Sequence, residues 1–193
     1  HGGPEVFLLQ TLLRFPQAPT ENGEFGTAIH NTLDWYQKRA IGGKLPGIVS
    51  VFKIYDEQLK RRYIPKEHMD DYHNRGHNAL KSYLSATESM WLKTAKSEVD
   101  FRNEGVVLGE ARLTGKIDRL EIDEKNKTVD IVDFKTGKPL SKWDISIKAL
   151  KYKQQLYFYK LLIEGSHSWV GYKVNSARLE FVEPLKNKSV EPL

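Results

Sequence analysis

The 193-residue sequence contains no cysteine, which excludes disulfides and any iron–sulfur cluster or zinc site with cysteine ligands. It also lacks an apolar run near the roughly 18 residues that a membrane-spanning helix needs. No signal-peptide pattern and no Walker-type phosphate-binding loop can be found in it. From these absences we expect a cytoplasmic protein that has no membrane partner and drives no movement by nucleotide hydrolysis.

The composition is that of an ordinary globular protein, with 39% hydrophobic and 28% charged residues. The length suits one domain over residues 1–193, which we expect to be a piece excised from a longer chain. The net charge of +5 and the isoelectric point near 9.2 favour a polyanionic partner.

Helical patterns dominate the first half of the chain. Residues 24–40 predict a first core helix, capped by Thr20 or Asn22, with the apolar stripe Phe25, Ile29, Leu33 and Tyr36. Residues 48–86 are also helical and rich in charge, and Pro65 fits the first turn of a second helix. We interpret this second stretch as a helical insertion packed beside the core.

The period changes after Ala86 to that of a sheet. The sequence predicts strands over 98–102, 106–122 (broken near Gly109), 128–135, 168–174 and 177–182, with a helix from Ser146 or Ile147 to about Ile163. Residues 97–182 therefore form the sheet-bearing core. The fold class is α+β, around a mixed central sheet flanked by helices.

The strand 128–135 ends in two opposite charges, Asp133 and Lys135, on one face. Burying such charges costs several kcal/mol per ion unless something compensates, in the range expected for desolvated ions. Asp118, on the preceding strand, supplies a second carboxylate if that strand pairs with strand 128–135 in a register where the numbers of two paired residues sum to 251. Asp118 then lies opposite Asp133 and faces the same way. A sum of 250 would place the two aspartates on opposite faces.

Placed opposite each other, Asp118 and Asp133 would offer hard oxygen ligands for Mg²⁺ or Mn²⁺, and the neighbouring Lys135 would stabilise charge on a phosphate. Gly137 lets the backbone turn close to such a phosphate. Asp133 and Lys135 taken alone could equally be a simple ion pair at a strand end. The other motifs decide between these two interpretations.

Four motifs, in order along the chain, resemble those of RecB-like nucleases of the PD-(D/E)xK superfamily. They are Phe-Gly-Thr-Ala-Ile-His at 25–30, Gly-Lys-Ile-Asp-Arg at 115–119, Asp-Phe-Lys-Thr-Gly-Lys at 133–138 and Gln-Leu-Tyr-Phe-Tyr at 155–159. The resemblance implies a restriction-endonuclease-like core. Some relatives carry a cysteine-bound iron–sulfur cluster that this chain cannot hold, so the resemblance points toward nuclease domains of the kind fused to UvrD-like helicases.

The resemblance also implies a role for individual residues. His30, Asp118 and Asp133 would bind the metal, Mg²⁺ or Mn²⁺, and Lys135 would be the catalytic lysine. Asp118 and Asp133 would therefore serve in catalysis as well.

Gln155 and Tyr159 would form the Gln-x-x-x-Tyr motif, which lines the site and holds DNA or the lysine. Helical spacing agrees in one respect, because Lys151, Gln155 and Tyr159 share a helix face. Taken singly, His30 and Tyr159 could be packed core residues and Gln155 a surface residue.

Seven lysines and one acid, Asp144, lie between Phe134 and Leu161. Basic residues interleaved with aromatic rings suit a single-stranded backbone with stacked bases, although each lysine alone could be on a solvated face. We expect DNA contacts from Lys138, Lys151, Tyr152, Lys153, Gln155 and Tyr159.

Other ionisable residues carry weaker signals. His68, His73 and His77 invite a zinc interpretation, but no glutamate lies between them in the His-Glu-x-x-His arrangement, and a solvated helix is favoured. Glu98 and Glu110 are weak candidates for a further acidic ligand.

The expected function is that of a metal-dependent DNA nuclease, exonucleolytic or directed to single strands and ends. We expect it to be part of a helicase–nuclease in DNA repair or recombination, in a bacterial-type, nucleoid-associated setting. The alternatives are a non-catalytic DNA-binding domain of a helicase complex and a structure-selective endonuclease.

Overall fold

The computed structural model describes residues 19–40, 43–139 and 146–183. The helices are α1 (Glu21–Arg39), α2 (Ile48–Lys60), α3 (Lys66–Ala86), α4 (Glu88–Trp91) and α5 (Ile147–Glu164), with a short 3-10 helix at His167–Trp169. The strands are β1 (Ala95–Asp100), β2 (Val107–Leu108), β3 (Ala111–Arg112), β4 (Lys116–Asp123), β5 (Thr128–Lys135) and β6 (Lys173–Phe181). None of the described helices is long and apolar enough to cross a membrane.

The central sheet has the strand order β1-β4-β5-β6. Its first three strands are antiparallel neighbours, while β6 runs parallel to β5 after the crossover through α5. The predicted α+β class with a mixed sheet between helices is thus confirmed. β5 is buried on both faces because helices pack on each side of the sheet, which explains its nearly continuous apolar sequence.

The first helix begins where the sequence predicts a cap. Thr20 accepts a hydrogen bond on Oγ1 from the backbone N–H of Gly23 at 3.2 Å. Its apolar stripe packs in one core cluster with residues of α2, α3 and β5, including Tyr55, Tyr83 and Phe134. The helices of residues 48–86 therefore complete the core on one side of the sheet.

Two predicted stretches of strand are wrong. The strand predicted over 106–122 is divided: β2 and β3 form a small hairpin that turns at Gly109, with φ +59°, and β4 begins only at Lys116. The predicted break near Gly109 is present. The two strands predicted over 168–174 and 177–182 are one continuous strand, preceded by the 3-10 helix. Asn175 and Ser176 are the polar residues that separated the two predicted strands. They form a β-bulge within β6 and donate hydrogen bonds to Asp130 at 2.8 and 2.7 Å.

An ion pair connects α3 to Glu183, just after β6, and through this residue to the loop after β5. The guanidinium of Arg75 donates to both carboxylate oxygens of Glu183, at 2.7 and 2.8 Å. The same carboxylate accepts the backbone N–H of Gly137 at 2.5 Å. Gly137 has φ +106°, a conformation that favours glycine, so a fixed partner holds this turn in place.

Candidate active site

The β4–β5 hairpin places Asp118 beside Asp133. Arg119 pairs with Val132 and Asp123 with Thr128, so the predicted register, in which residue numbers sum to 251, is confirmed. The four-residue loop of residues 124–127 that this register requires is also present. In an antiparallel pair, residues in this relation face the same side of the sheet.

Asp118 is held from two sides. Its Oδ2 accepts the backbone N–H of Phe134 at 2.7 Å, and its Oδ1 lies 3.4 Å from Nδ1 of His30. The first contact ties the carboxylate to the strand that carries Asp133. The second brings α1 to the edge of the hairpin.

Close packing of α1 explains how His30 reaches this edge. A Cβ atom on Gly26 would lie 3.1 Å from Oγ1 of Thr136, so glycine lets the helix approach the loop after β5. His30 follows one turn later on the same helical side. Burial lowers the pKa of the His30 imidazole, but the contact with Asp118 and the nearby carboxylate charges outweigh it and raise that pKa above 6.5.

Glu98 joins this cluster, although its sequence signal was weak. It interrupts the β1–β4 ladder beside Asp118 with φ +52°, and its carboxylate forms an ion pair with Lys116. Potential ligand atoms of His30, Glu98 and Asp118 all lie within 4.8 Å of one another. Glu110, the other weak candidate, is exposed at the β2–β3 turn and is outside this cluster.

Asp133 lies outside that cluster, in a network of its own. Its Oδ1 accepts hydrogen bonds from Gln155 Nε2 at 3.0 Å and from Tyr159 Oη at 2.9 Å. Its Oδ2 is in an ion pair with Lys135 Nζ at 2.5 Å, yet it accepts no well-aligned hydrogen bond from the described residues. Burial, followed by the charge of Asp118, raises the pKa of Asp133.

Lys135 is positioned by α5. Its Nζ donates to Gln155 Oε1 at 3.0 Å, and Gln155 Nε2 also lies 2.7 Å from Tyr159 Oη. Gln155 therefore uses both ends of its amide, one for the lysine and one for Asp133. Burial and the charge of Asp133 hold the pKa of Tyr159 well above its ordinary value, so its hydroxyl stays a donor.

The expected DNA-contacting residues fall into two groups. Near the site, Tyr152 lies between Lys135 and Lys148, whose Nζ atoms are 5.4 and 5.7 Å from its ring centre. Lys148 in turn donates to the carbonyl of the exposed Lys138 at 3.0 Å. The exposed Lys151 lies one turn before Gln155 on the same helix.

Lys153 lies on a different part of the surface from the candidate active site. It lines a groove of about 350 Å³ between α5 and β6, together with Tyr157 and Lys160. None of the predicted metal-binding or catalytic residues lines this groove. Lys142 of the lysine run and the neighbouring Trp143 lie outside the described residues.

The donor atoms fit a divalent cation of the Mg²⁺ type. The cluster of His30, Glu98 and Asp118 supplies hard oxygen atoms with one imidazole nitrogen. Beside it, the buried Oδ2 of Asp133 accepts no hydrogen bond from the described residues, and burial together with the charge of Asp118 raises the pKa of Asp133. Positive charge placed between the carboxylates would offset both penalties.

The central hairpin of this α+β core, together with α5, thus brings carboxylates, a lysine and a glutamine close together. The family model of the PD-(D/E)XK nuclease superfamily matches residues 4–192, nearly the whole chain. The chain therefore belongs to the PD-(D/E)XK nuclease superfamily, whose nucleases use divalent metal ions. A search of curated proteins found no match.

Replacing Gln155 with leucine is expected to lower kcat about ten- to hundredfold. The change removes hydrogen bonds to Lys135 and Asp133, and bonds to charged groups contribute about 1.5–3 kcal/mol. Affinity for Mn²⁺ should stay the same, because Gln155 is outside the metal cluster. Single-turnover cleavage and Mn²⁺ titration measure the two effects.

Gln154→Leu is the matched control, since Gln154 is the exposed neighbour on the same helix. Its kcat should stay at the level of the unmodified protein. Equal losses in both variants would mean that damage to α5, rather than loss of the Lys135 contact, causes the effect.

Proposed function

We propose that this protein is a metal-dependent deoxyribonuclease that cleaves single-stranded DNA or DNA ends, with Mg²⁺ or Mn²⁺ as cofactor. The observation that carries the proposal is the joint presence, at one hairpin end, of a potential metal cluster and a lysine fixed beside a buried carboxylate. Membership of the nuclease superfamily supports the same reaction class.

The residues divide the chemistry between them. His30, Glu98 and Asp118 would hold the cation, with Asp133 at its side. When bound, such a cation supplies a water of lowered pKa and stabilises charge on the scissile phosphate.

Lys135 supplies the cationic hydrogen-bond donor beside that phosphate. The ammonium is held by Gln155 Oε1 and Asp133 Oδ2, so it needs little rearrangement when charge develops in the transition state. Tyr159 fixes the other oxygen of Asp133 and thereby its orientation.

Single-stranded DNA is supported by the surface next to the lysine. Tyr152 offers a ring between two ammonium groups, and the exposed Lys138 and Lys151 extend positive charge along the mouth of the site. A flexible backbone can follow such a surface while a base stacks on the ring. A role in a helicase–nuclease of DNA repair or recombination, in a cytoplasmic, nucleoid-associated setting, remains part of the proposal.

The test is incubation of end-labelled linear and circular single-stranded DNA, and of RNA, with Mg²⁺, Mn²⁺ or EDTA. We expect metal-dependent cleavage of linear DNA, with circular DNA and RNA resistant, and loss of cleavage in Asp133→Ala and Lys135→Ala. Cleavage of circular DNA would show that the protein is an endonuclease and does not require DNA ends. DNA binding without cleavage under every metal would identify a non-catalytic binding domain, and equal cleavage by all three proteins would overturn the proposed site.

A further inference from the structure

A second cluster of metal-ligating side chains lies on the paired helices α2 and α3. Nε2 of His77 is 2.7 Å and Nε2 of His73 is 3.2 Å from the same oxygen, Oδ1 of Asp56. The potential ligand atoms of all three residues lie within 4.8 Å of one another. The two imidazoles come from successive turns of α3, and the carboxylate comes from α2.

The spacing of these ligands is fixed by the core. Tyr55, fully buried and next to Asp56, donates from Oη to the carbonyl of Tyr72 at 2.7 Å. A Cβ on Gly76, the residue before His77, would lie 2.0 Å from the Tyr55 ring, so the two helices meet there in one register. No ion is needed to bring the cluster together.

The orientation of one imidazole is fixed as well. The His77 ring stacks on Phe52, with ring centres 4.0 Å apart and planes inclined by 6°. Phe52 lies one turn before Asp56 on α2, as His73 lies one turn before His77 on α3. Stacking leaves Nε2 of His77 directed at Asp56.

The ligand chemistry differs from that of the active site. Two imidazoles with one carboxylate suit Zn²⁺ and its neighbours Co²⁺, Ni²⁺ and Cu²⁺, whereas Mg²⁺ prefers oxygen ligands. Ligands about 2.0–2.1 Å from zinc stand about 3.3 Å apart in a tetrahedron, using the usual zinc bond lengths. The separations of 2.7 and 3.2 Å are slightly shorter, so a small outward rotation of the side chains admits the ion.

We propose that Asp56, His73 and His77 form a transition-metal site that cross-links α2 and α3, independent of the candidate active site. All three side chains are partly exposed, which leaves an entry path and a position for a water ligand. The bound ion stabilises the helical pair of residues 48–86. The proposal does not depend on the nuclease activity.

The experiment titrates the full chain with Co²⁺, following the visible absorption of Co²⁺ held by nitrogen ligands, and then displaces it with Zn²⁺. Every protein in the series also carries Asp118→Asn, which removes a ligand of the other cluster. We expect one Co²⁺ per chain, at least about tenfold weaker binding in His73→Gln and His77→Gln, and a Zn²⁺-dependent rise in Tm that both variants lose.

His68→Gln is the matched control, because His68 lies on the same helix and pairs with the carboxylate of Glu21 at 3.0 Å without a second imidazole. It should bind Co²⁺ like its parent. Equal Co²⁺ binding in parent, His73→Gln and His77→Gln would overturn the proposal and leave plain histidine–carboxylate hydrogen bonds. If a glutamine variant fails to fold, Asp56→Asn decides by the same two readouts.

Discussion

Replacing Asp118 with asparagine is expected to lower DNA cleavage at least about a thousandfold while the protein stays folded. A metal ion contributes several kcal/mol of charge stabilisation, and each 1.4 kcal/mol corresponds to about a tenfold change in rate. Asparagine can still accept the backbone N–H of Phe134, now 2.7 Å from the carboxylate, so the hairpin keeps this bond. Mn²⁺ titration and single-turnover cleavage measure the loss, and thermal unfolding checks the fold.

Asp130→Asn provides the control on the same hairpin. Asp130 lies at the far end of β5, where it accepts hydrogen bonds from Asn175 and Ser176. Its replacement should leave both Mn²⁺ affinity and cleavage unchanged. If Asp118→Asn bound Mn²⁺ as tightly as the unmodified protein, the cation would have to be held elsewhere and the site would be wrongly assigned.

Replacing Lys135 with methionine is expected to lower kcat by about 10² to 10³, as for other donors that stabilise transition-state charge. Methionine keeps a comparable apolar length but cannot donate a hydrogen bond. Because Lys135 is a donor and not a metal ligand, Mn²⁺ affinity should be retained. This separates the variant from Asp118→Asn, in which metal affinity and rate fall together.

Lys125→Met removes the same charge from the exposed loop of the same hairpin. It should cleave DNA at the rate of the unmodified protein, which controls for the change in net charge. A fall in Lys135→Met confined to KM would assign the lysine to DNA binding instead of catalysis. Rapid-quench measurement of kcat and KM distinguishes these results.

The hairpin was predictable from sequence because its constraints are local. A polar loop between two apolar strands limits the register to a few choices. Because alternate side chains of a strand point to opposite faces, each register determines which face of the sheet carries Asp118. Only one register placed it beside Asp133, and that register is the one observed. Gln155 could be placed on the correct helix for a similar reason, since Ser146 and Gly165 mark the helix ends.

Other features depend on contacts that are distant in sequence. Glu98 reaches the site because β1 pairs with β4 and the chain takes a positive φ there, which no alternation pattern reveals. The continuity of β6 depends on Asp130, which binds the polar residues of the bulge. The contact between His77 and Asp56 forms because Gly76 has no side chain and leaves room for the ring of Tyr55 on another helix.

Glu183 has a practical consequence for cutting the protein into fragments. A fragment that stops at Val182 retains every predicted metal-binding and catalytic residue, yet it loses the acceptor for the backbone N–H of Gly137 and the partner of Arg75. The turn that follows Lys135 would then lack its connection to α3. Any shortened version of this protein should therefore extend through Glu183, although Glu183 is not one of the predicted metal-binding or catalytic residues.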